Sequence, residues 1–314
     1  MIKRSKIPNM LKIFVSIITF NNDTDTISCL QSLDKLQKIN ADLDVIVIDN
    51  ASDKPFTIPY DSIFNFKLQI IRNNDNLGFA AGHNIAIKYA LTKGADYILI
   101  LNNDTILDNK LLKNLLEEAE LNKNAGIIVP KIYFERGFEF HREKYSEKDL
   151  GNILWFAGGF MDWANIVGKN RGVNEIDKGQ FDSTEESELA TGCCMLINSK
   201  VFLKSGYFDE RYFLYYEDSD FTMRIKENGF KVIYAPKAIL WHKNAGSSGG
   251  SGSLLQDYYI SRNRLLFGFK YAPIRTKIAL FRESLSFIIK GRNWQKIGVR
   301  DFYLKRFGKG SFRN

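Results

Sequence analysis

Four acids and one histidine in this chain of 314 residues stand where they could do chemistry together: Asp104, Glu217, Asp218, Asp220 and His242. Asp104 follows the apolar run 97–101, Glu217-Asp218-Ser219-Asp220 opens a helix after an aromatic run, and His242 follows the apolar stretch 238–241. An Asp carboxylate and a neutral imidazole suit a divalent cation such as Mn2+ or Mg2+, with diphosphate oxygens and water completing its shell. Such a cation offsets the charge that builds on a leaving diphosphate. A separate carboxylate must then take the proton of an attacking hydroxyl. The Glu217-Asp218 pair sits at a helix N-terminus, where the dipole favours ionised carboxylates, so the base is expected to stay deprotonated at neutral pH. Taken singly, Glu217, Asp218 and Asp220 read as helix caps and His242 as a half-buried polar side chain.

Three apolar runs end in polar residues: Thr19-Phe20-Asn21-Asn22, Asp49-Asn50-Ala51-Ser52-Asp53 and Asn102-Asn103-Asp104-Thr105. Any one of them reads as a turn or a cap; three at one sheet edge point to a polar ligand. The stretch NNDNLGFAAGHN at 73–84 places glycines at a loop-to-helix junction, where backbone amides can approach phosphate or ribose. It lacks the spacing of a P-loop, and no Lys follows its second Gly. The first strand-to-helix turn, 20–24, contains no glycine, which argues against a nicotinamide dinucleotide site.

The elements that must position these residues alternate along the first 130 residues. Strand-like runs at 13–20, 45–48, 68–71, 97–101 and 126–129, the last closing at Pro130, are separated by helix-period segments at 24–37, 82–93 and 109–121. That alternation predicts an α/β fold with a mostly parallel sheet and helices on both faces. In such sheets ligands sit beyond the carboxyl ends of the strands. Residues 137–188 read as a loop-rich insertion on the acceptor side of a cleft. Regular structure resumes at 189–197, in a helix carrying Tyr215, Phe221 and Ile225, and in a strand at 231–235. The glycine–serine stretch 246–252 reads as a hinge. The expected division is a catalytic unit, 1–250, and a basic helical extension, 251–314.

Composition is that of a folded protein, 45% hydrophobic and 25% charged. Three cysteines, two of them adjacent, predict buried thiols in a reducing compartment. No segment approaches the roughly 20 apolar residues that span a bilayer, and the N-terminal 11 residues lack the pattern of a signal peptide. The expected location is cytoplasmic, peripheral on the inner face of the cell membrane. The net charge of +8 is uneven: residues 262–314 hold 14 Lys and Arg against 2 acids, while the rest sums to −4. In that tail Ile274, Ile278, Phe281, Leu285, Ile288 and Ile289 share one helical face, which Phe287 interrupts. Either the stripe packs on the catalytic unit, or it lies in an anionic membrane interface. Nucleic acid is not expected as a partner, because the excess is confined to the tail and no reading motif is present.

Seven stretches make the chain recognisable: VSIITFNN (15–22), VIVIDNAS (45–52), NLGFAAGHN (76–84), LNNDT (101–105), ATGCCMLINSKVF (190–202), FDERYFLYYEDSDFTMRIKENG (208–229) and YYISRNRLLF (258–267). Their ordered set resembles glycosyltransferase family 2, and within it the rhamnosyltransferase-like enzymes of surface polysaccharide assembly. The resemblance implies a GT-A fold and an inverting, single-displacement transfer of a sugar from a nucleoside diphosphate to an acceptor hydroxyl. Thr19, Asn21, Asp49 and Asn50 would hold the nucleoside, with Asn76 and Asn84 lining the same pocket. Asp104 would meet the metal–diphosphate, beside Asn102 and Asn103, with His242 as second metal ligand. Asp218 would be the base and Glu217 its understudy, and Arg262 and Arg264 would lie near the diphosphate or acceptor. The family often carries two acids in the metal loop; here the first is Asn102, leaving Asp104 as that loop's only anionic ligand. The implied donor is dTDP-rhamnose, then a UDP-hexose, and the implied acceptor a lipid-diphosphate-linked saccharide. The rival class is a catalytically silent nucleotide-sugar-binding scaffold.

Overall fold

The structure, a computed structural model, describes residues 10–60, 62–244 and 253–313. The first nine residues of the basic N-terminus and the glycine–serine stretch read as a hinge lie outside the described residues. Strands and helices alternate as β1 (Leu11–Thr19), α1 (Asp23–Asp34), β2 (Ala41–Asp49), β3 (Lys67–Arg72), α2 (Gly78–Thr92), β4 (Tyr97–Asn102), β5 (Thr105–Leu107), α3 (Leu111–Leu121) and β6 (Ala125–Phe134). Short strands follow: β7 (Leu154–Phe156), β8 (Gly159–Asp162), β9 (Val167–Asn170) and β10 (Glu185–Glu186). The chain continues through β11 (Cys194–Asn198), α4 (Lys200–Ser205), α5 (Glu217–Glu227) and β12 (Lys231–His242). Three helices end it: α6 (Leu254–Tyr271), α7 (Ile274–Lys290) and α8 (Asn293–Tyr303).

The large sheet has the order β10-β12-β6-β11-β4-β1-β2-β3, with β5 on β12 and β7 on β6. Strands β3, β2, β1 and β4 run parallel, and β12 runs parallel to β6. Only β11 among the long strands is reversed, lying antiparallel between β4 and β6. Helices cover both faces, so β1 has no wet side and its β-branched run is continuous rather than alternating. Ile13, Val15 and Ile17 are fully buried in the core around it.

Several elements differ in extent from the sequence reading: the strand expected at 231–235 runs on to His242, and the helix expected at 82–93 begins at Gly78. Strand β6 does not close at Pro130 but runs on to Phe134, because the ladder to β12 slips between Ala235 and Ile239, where Pro130 faces Ala235. A proline without an N–H is tolerated at such an irregularity. The region read as loop-rich contains short strands, among them the hairpin β8–β9.

That hairpin supplies Met161 and Ile166 to a second core shared with Leu265, Phe267, Leu280 and Val299 of the three terminal helices. Helix α8 closes on α6 at Gly298, where a Cβ would stand 2.5 Å from the Tyr258 carbonyl oxygen. No described helix is long and apolar enough to cross a membrane.

Candidate active site

Asp104 lies in the turn between β4 and β5. Because β5 pairs antiparallel with the end of β12, Thr105 sits opposite His242. This pairing brings His242 Nε2 to 3.1 Å from Asp104 Oδ1. The Trp155 ring stands edge-on to the imidazole, 4.7 Å between centroids, and Lys243 N donates to Asp104 O. Burial pushes the Asp104 carboxyl up, but His242, by charge and hydrogen bond, and Lys243 outweigh it and hold it below its ordinary 3.8. Among the described residues His242 Nδ1 is buried without a hydrogen-bond partner.

One carboxylate oxygen and one imidazole nitrogen only 3.1 Å apart are close enough to share a divalent cation, with Nε2 as the donor nitrogen. No group of three or more His, Cys, Asp or Glu side chains converges among the described residues. The fit is therefore to an ion whose remaining ligands come from a diphosphate and water, not to a closed protein cage. Asn102 ends β4, its N–H donating to Cys193 O, and Asn103 Nδ2 donates to Thr26 Oγ1 at 2.9 Å.

The carboxyl ends of β1 and β2 carry the other expected donor residues. Asn21 adopts a left-handed φ of 53°, and its Oδ1 accepts from Asp53 N while its N–H donates to Ser52 Oγ. Asp49 accepts from Ser52 N and Phe56 N and pairs with Arg72. Burial pushes that carboxyl up, but these donors, Ser52 foremost, outweigh it and set it below the usual value. The Asn50 amide bridges to the glycine loop: Nδ2 donates to Asn76 Oδ1 and Gly78 O, and Oδ1 accepts from Asn73 Nδ2 and Leu77 N. Thr19 is fully buried and its hydroxyl accepts from Thr26 Oγ1 at 2.9 Å. Asn50 and Thr19 thus hold the shape of the loops that follow β1 and β2, while Asn21 is exposed and Asn76 partly so.

Three expected residues are placed elsewhere. Asn84 is buried, and its amide is used against Phe208 N, Phe208 O and Glu210 Oε1, fastening α2 to the loop after α4 rather than standing free for a ligand. Arg262 is the largest correction: it is wholly buried, and its guanidinium donates to Asn263 Oδ1 and to the carbonyls of Arg211, Tyr212, Arg306 and Gly308. It has no donor left for a diphosphate. Arg264 donates to Asn165 O and pairs with Glu283, tying α6 to the β8–β9 hairpin and to α7.

What Arg262 and its neighbour do hold is the entry to α5. Phe213, Tyr215 and Tyr216 all take left-handed φ, at 65°, 68° and 72°. Such conformations persist in non-glycine residues only where the surroundings over-determine them. Here Asn263 Nδ2 donates to three carbonyls at once, Tyr212 at 2.8 Å, Leu214 at 2.8 Å and Tyr215 at 2.9 Å. From the other side Phe79 N donates to Phe213 O. Sequence reasoning missed Asn263; the only signal was its place in YYISRNRLLF beside an arginine taken for a ligand-binding group.

Straight after this loop come Glu217 and Asp218. Asp218 Oδ2 accepts from Gly192 N at 3.0 Å, and Oδ1 from Ser219 N at 2.6 Å. The next carbonyl in the same turn, Cys193 O, accepts from Asn102 N at the end of β4, so a two-residue bridge joins Asp218 to the loop that bears Asp104. A Cβ at Gly192 would meet Phe79 Cζ at 2.8 Å, which is why a glycine stands there. Burial pushes the Asp218 carboxyl up, and the amides of Gly192 and Ser219 only partly offset it. Glu217 is pushed well above its usual value by burial and then by the Asp218 charge, and its Oε2 lacks a partner among the described residues. The expectation that the helix dipole keeps this pair readily ionised is corrected by that burial. Asp220 is structural: wholly buried, it pairs with Arg224 and Lys270.

The family described as Glycosyl transferase family 2 matches residues 14–203, more than half of the chain, and the chain belongs to that family. It is 25% identical over 264 residues to the dTDP-rhamnosyl transferase RfbF of Shigella flexneri, covering 81% of this chain and 79% of that protein. It is 41% identical over 156 residues, 49% of each chain, to an N-acetylglucosaminyl-diphospho-decaprenol L-rhamnosyltransferase of Mycobacterium tuberculosis. Among solved structures, GalNAc-T7 with UDP, GalNAc and Mn2+ matches with a TM-score of 0.60 at 17% identity, over 89% of this chain and 55% of that one. S. aureus TarS (residues 1–349) matches at 0.53 and 15% identity, over 94% and 80%. These likenesses show a GT-A fold, and the family shows a sugar-transferring enzyme.

Proposed function

We propose that this chain is an inverting glycosyltransferase, dependent on Mn2+ or Mg2+, that moves rhamnose from dTDP-rhamnose, or a hexose from a UDP-hexose, onto a saccharide hydroxyl. The observation that carries the reading is the approach of Asp104 Oδ1 and His242 Nε2 to 3.1 Å, with the turn at 192–193 linking that loop to Asp218. A divalent cation held by Asp104 and His242 supplies positive charge against the leaving diphosphate. Asn21 and Asn76 face the nucleoside, and the loops held by Thr19, Asp49 and Asn50 exclude water around it.

Asp218 is the base. Its carboxylate takes the acceptor's hydroxyl proton as the acceptor oxygen bonds to the anomeric carbon. The bond from that carbon to the diphosphate oxygen breaks, and the electron pair leaves with the nucleoside diphosphate. Attack opposite the leaving group inverts the anomeric centre. A carboxyl raised by burial is a stronger base than an exposed one, which suits proton abstraction from a weakly acidic hydroxyl.

The relative acting on a diphospho-decaprenol substrate supports an acceptor carried on a lipid diphosphate. On this reading the catalytic unit, 1–250, works at the inner face of the cell membrane, with the basic extension, 251–314, in peripheral contact with anionic lipid. The test is a thermal-shift panel of dTDP-rhamnose, UDP-hexoses and GDP-mannose with and without Mn2+. A ligand that binds only the native state raises its melting temperature. Stabilisation by one pyrimidine nucleotide sugar, enhanced by Mn2+, is the expected result; no shift with any of them contradicts the reading.

A further inference from the structure

Helix α7 has two apolar faces, and the fold uses only one. Leu280 and Ser284 are buried and Phe287 packs on the second core, so the residue that interrupts the stripe in sequence belongs to the inward face. The stripe itself points away. Ile274 and Ile289 are each 74% exposed, and Ile278, Phe281, Leu285 and Ile288 remain nearly half exposed between them. With Ile297 of α8 and Leu304 just beyond its end, the last three of these line an open groove of about 560 Å³.

The charges around this face are sorted. The two helices contain one acid each, and both are turned to the protein: Glu283 pairs with Arg264, and the buried Asp301 accepts from Tyr258 Oη and pairs with Arg300. The cations face outward. Arg275 and Arg282, seven residues apart on one edge of the stripe, are exposed, and Lys296 and Arg300, four apart on α8, line the groove.

We infer that the outer face of α7 and α8 is the surface by which this protein docks on an anionic phospholipid bilayer. The stripe sinks into the headgroup–acyl boundary, and the flanking cations meet lipid phosphates. Charge complementarity selects this occupant over a second copy. A two-fold interface through this face would set its like-charged rims against each other with no acid to pair them. The inference deepens the proposed function by naming the surface that holds the enzyme beside a lipid-carried acceptor, and it rests on that reading only for its purpose.

Vesicle sedimentation of the full chain tests it without donor or turnover, so its failure leaves the sugar-transfer reading standing. The native protein is expected to pellet with vesicles containing phosphatidylglycerol, to stay in solution with pure phosphatidylcholine, and to be released by salt. Phe281→Ser with Leu285→Ser removes apolar contact, and Arg275→Glu with Arg282→Glu reverses the rim. Each pair is expected to weaken binding at least tenfold; Arg275→Glu with Arg282→Glu, at exposed positions, is expected to leave the melting temperature unchanged, and circular dichroism checks that Phe281→Ser with Leu285→Ser stays folded. Binding indifferent to lipid charge, variants that pellet like the native chain, or a native dimer in solution that Phe281→Ser with Leu285→Ser breaks would each overturn it.

Discussion

His242 Nε2 stands 3.1 Å from Asp104 Oδ1, and the contact exists because β5 and β12 meet at Thr105 and His242. In the absence of a cation the two groups satisfy each other. On the proposed reading they would be two of the ligands of a bound cation, so removing either should uncouple metal from nucleotide. For the native chain, a nucleotide–Mn2+ complex at a hundredfold its Kd adds about 2.7 kcal/mol of stability. In His242→Ala or Asp104→Asn the Mn2+-dependent part of that gain is expected to vanish while the metal-free nucleotide shift remains, as read by differential scanning fluorimetry. Retention of the full Mn2+ effect in both variants would place the metal elsewhere.

The Asp218 carboxyl is raised by burial and lowered by the Gly192 amide. A base must be deprotonated to act, so the acid limb of the pH–kcat/KM profile is expected above the ordinary carboxylate value of 3.8. Gly192→Ala drives a methyl group against Phe79 and disturbs the amide that favours the ionised form. The limb is therefore expected to move to still higher pH in that variant. A shift to lower pH contradicts the assignment.

Glu217 is a stability cost at neutral pH. Its folded value lies well above the unfolded one, so the native state binds the extra proton. Its contribution is complete below about 4.5 and is lost as pH rises through the folded value. Glu217→Gln is uncharged throughout. The melting temperature of the variant minus that of the native chain should be near zero at pH 4.5 and grow as pH rises towards 8, as measured by circular dichroism melts.

Asn263 supports three carbonyls of the left-handed loop that leads into α5. Asn263→Ala leaves buried acceptors without a donor, at a cost of roughly 2–4 kcal/mol. Since the loop ends at Asp218 and not at the nucleoside, kcat is expected to fall more than the donor KM changes. Equal activity per folded molecule would reduce Asn263 to a purely structural role.

Much of this was legible in the chain. Largely apolar runs such as 13–18 announce strands buried on both faces, and the polar residues that follow them gather where a ligand is expected. What local pattern could not supply was where backbone carbonyls of distant loops would come to lie. Arg262 looks like a phosphate-binding group because guanidinium groups commonly are, yet the fold brings the Arg211, Tyr212 and Gly308 carbonyls to it. Asn84 fails as a nucleoside contact for the same reason, its partners at 208 and 210 being far along the chain. The ionisation of Asp218 was read from the helix dipole, a local effect, whereas burial, a property of the whole packing, decides it. The stripe on α7 was visible as a period, but only packing tells that Leu280, Ser284 and Phe287 are the inward side.

On the proposed mechanism Asp218 removes a proton during sugar transfer and does little for donor binding. The measurement that meets it is nucleoside diphosphate release from the nucleotide sugar that stabilises the protein, with Mn2+ present, in the native chain and in Asp218→Asn, together with nucleotide affinity by calorimetry on the same samples. Release is predicted to fall about 10³-fold in the variant with affinity held within twofold. Equal release rates in both proteins would contradict the account.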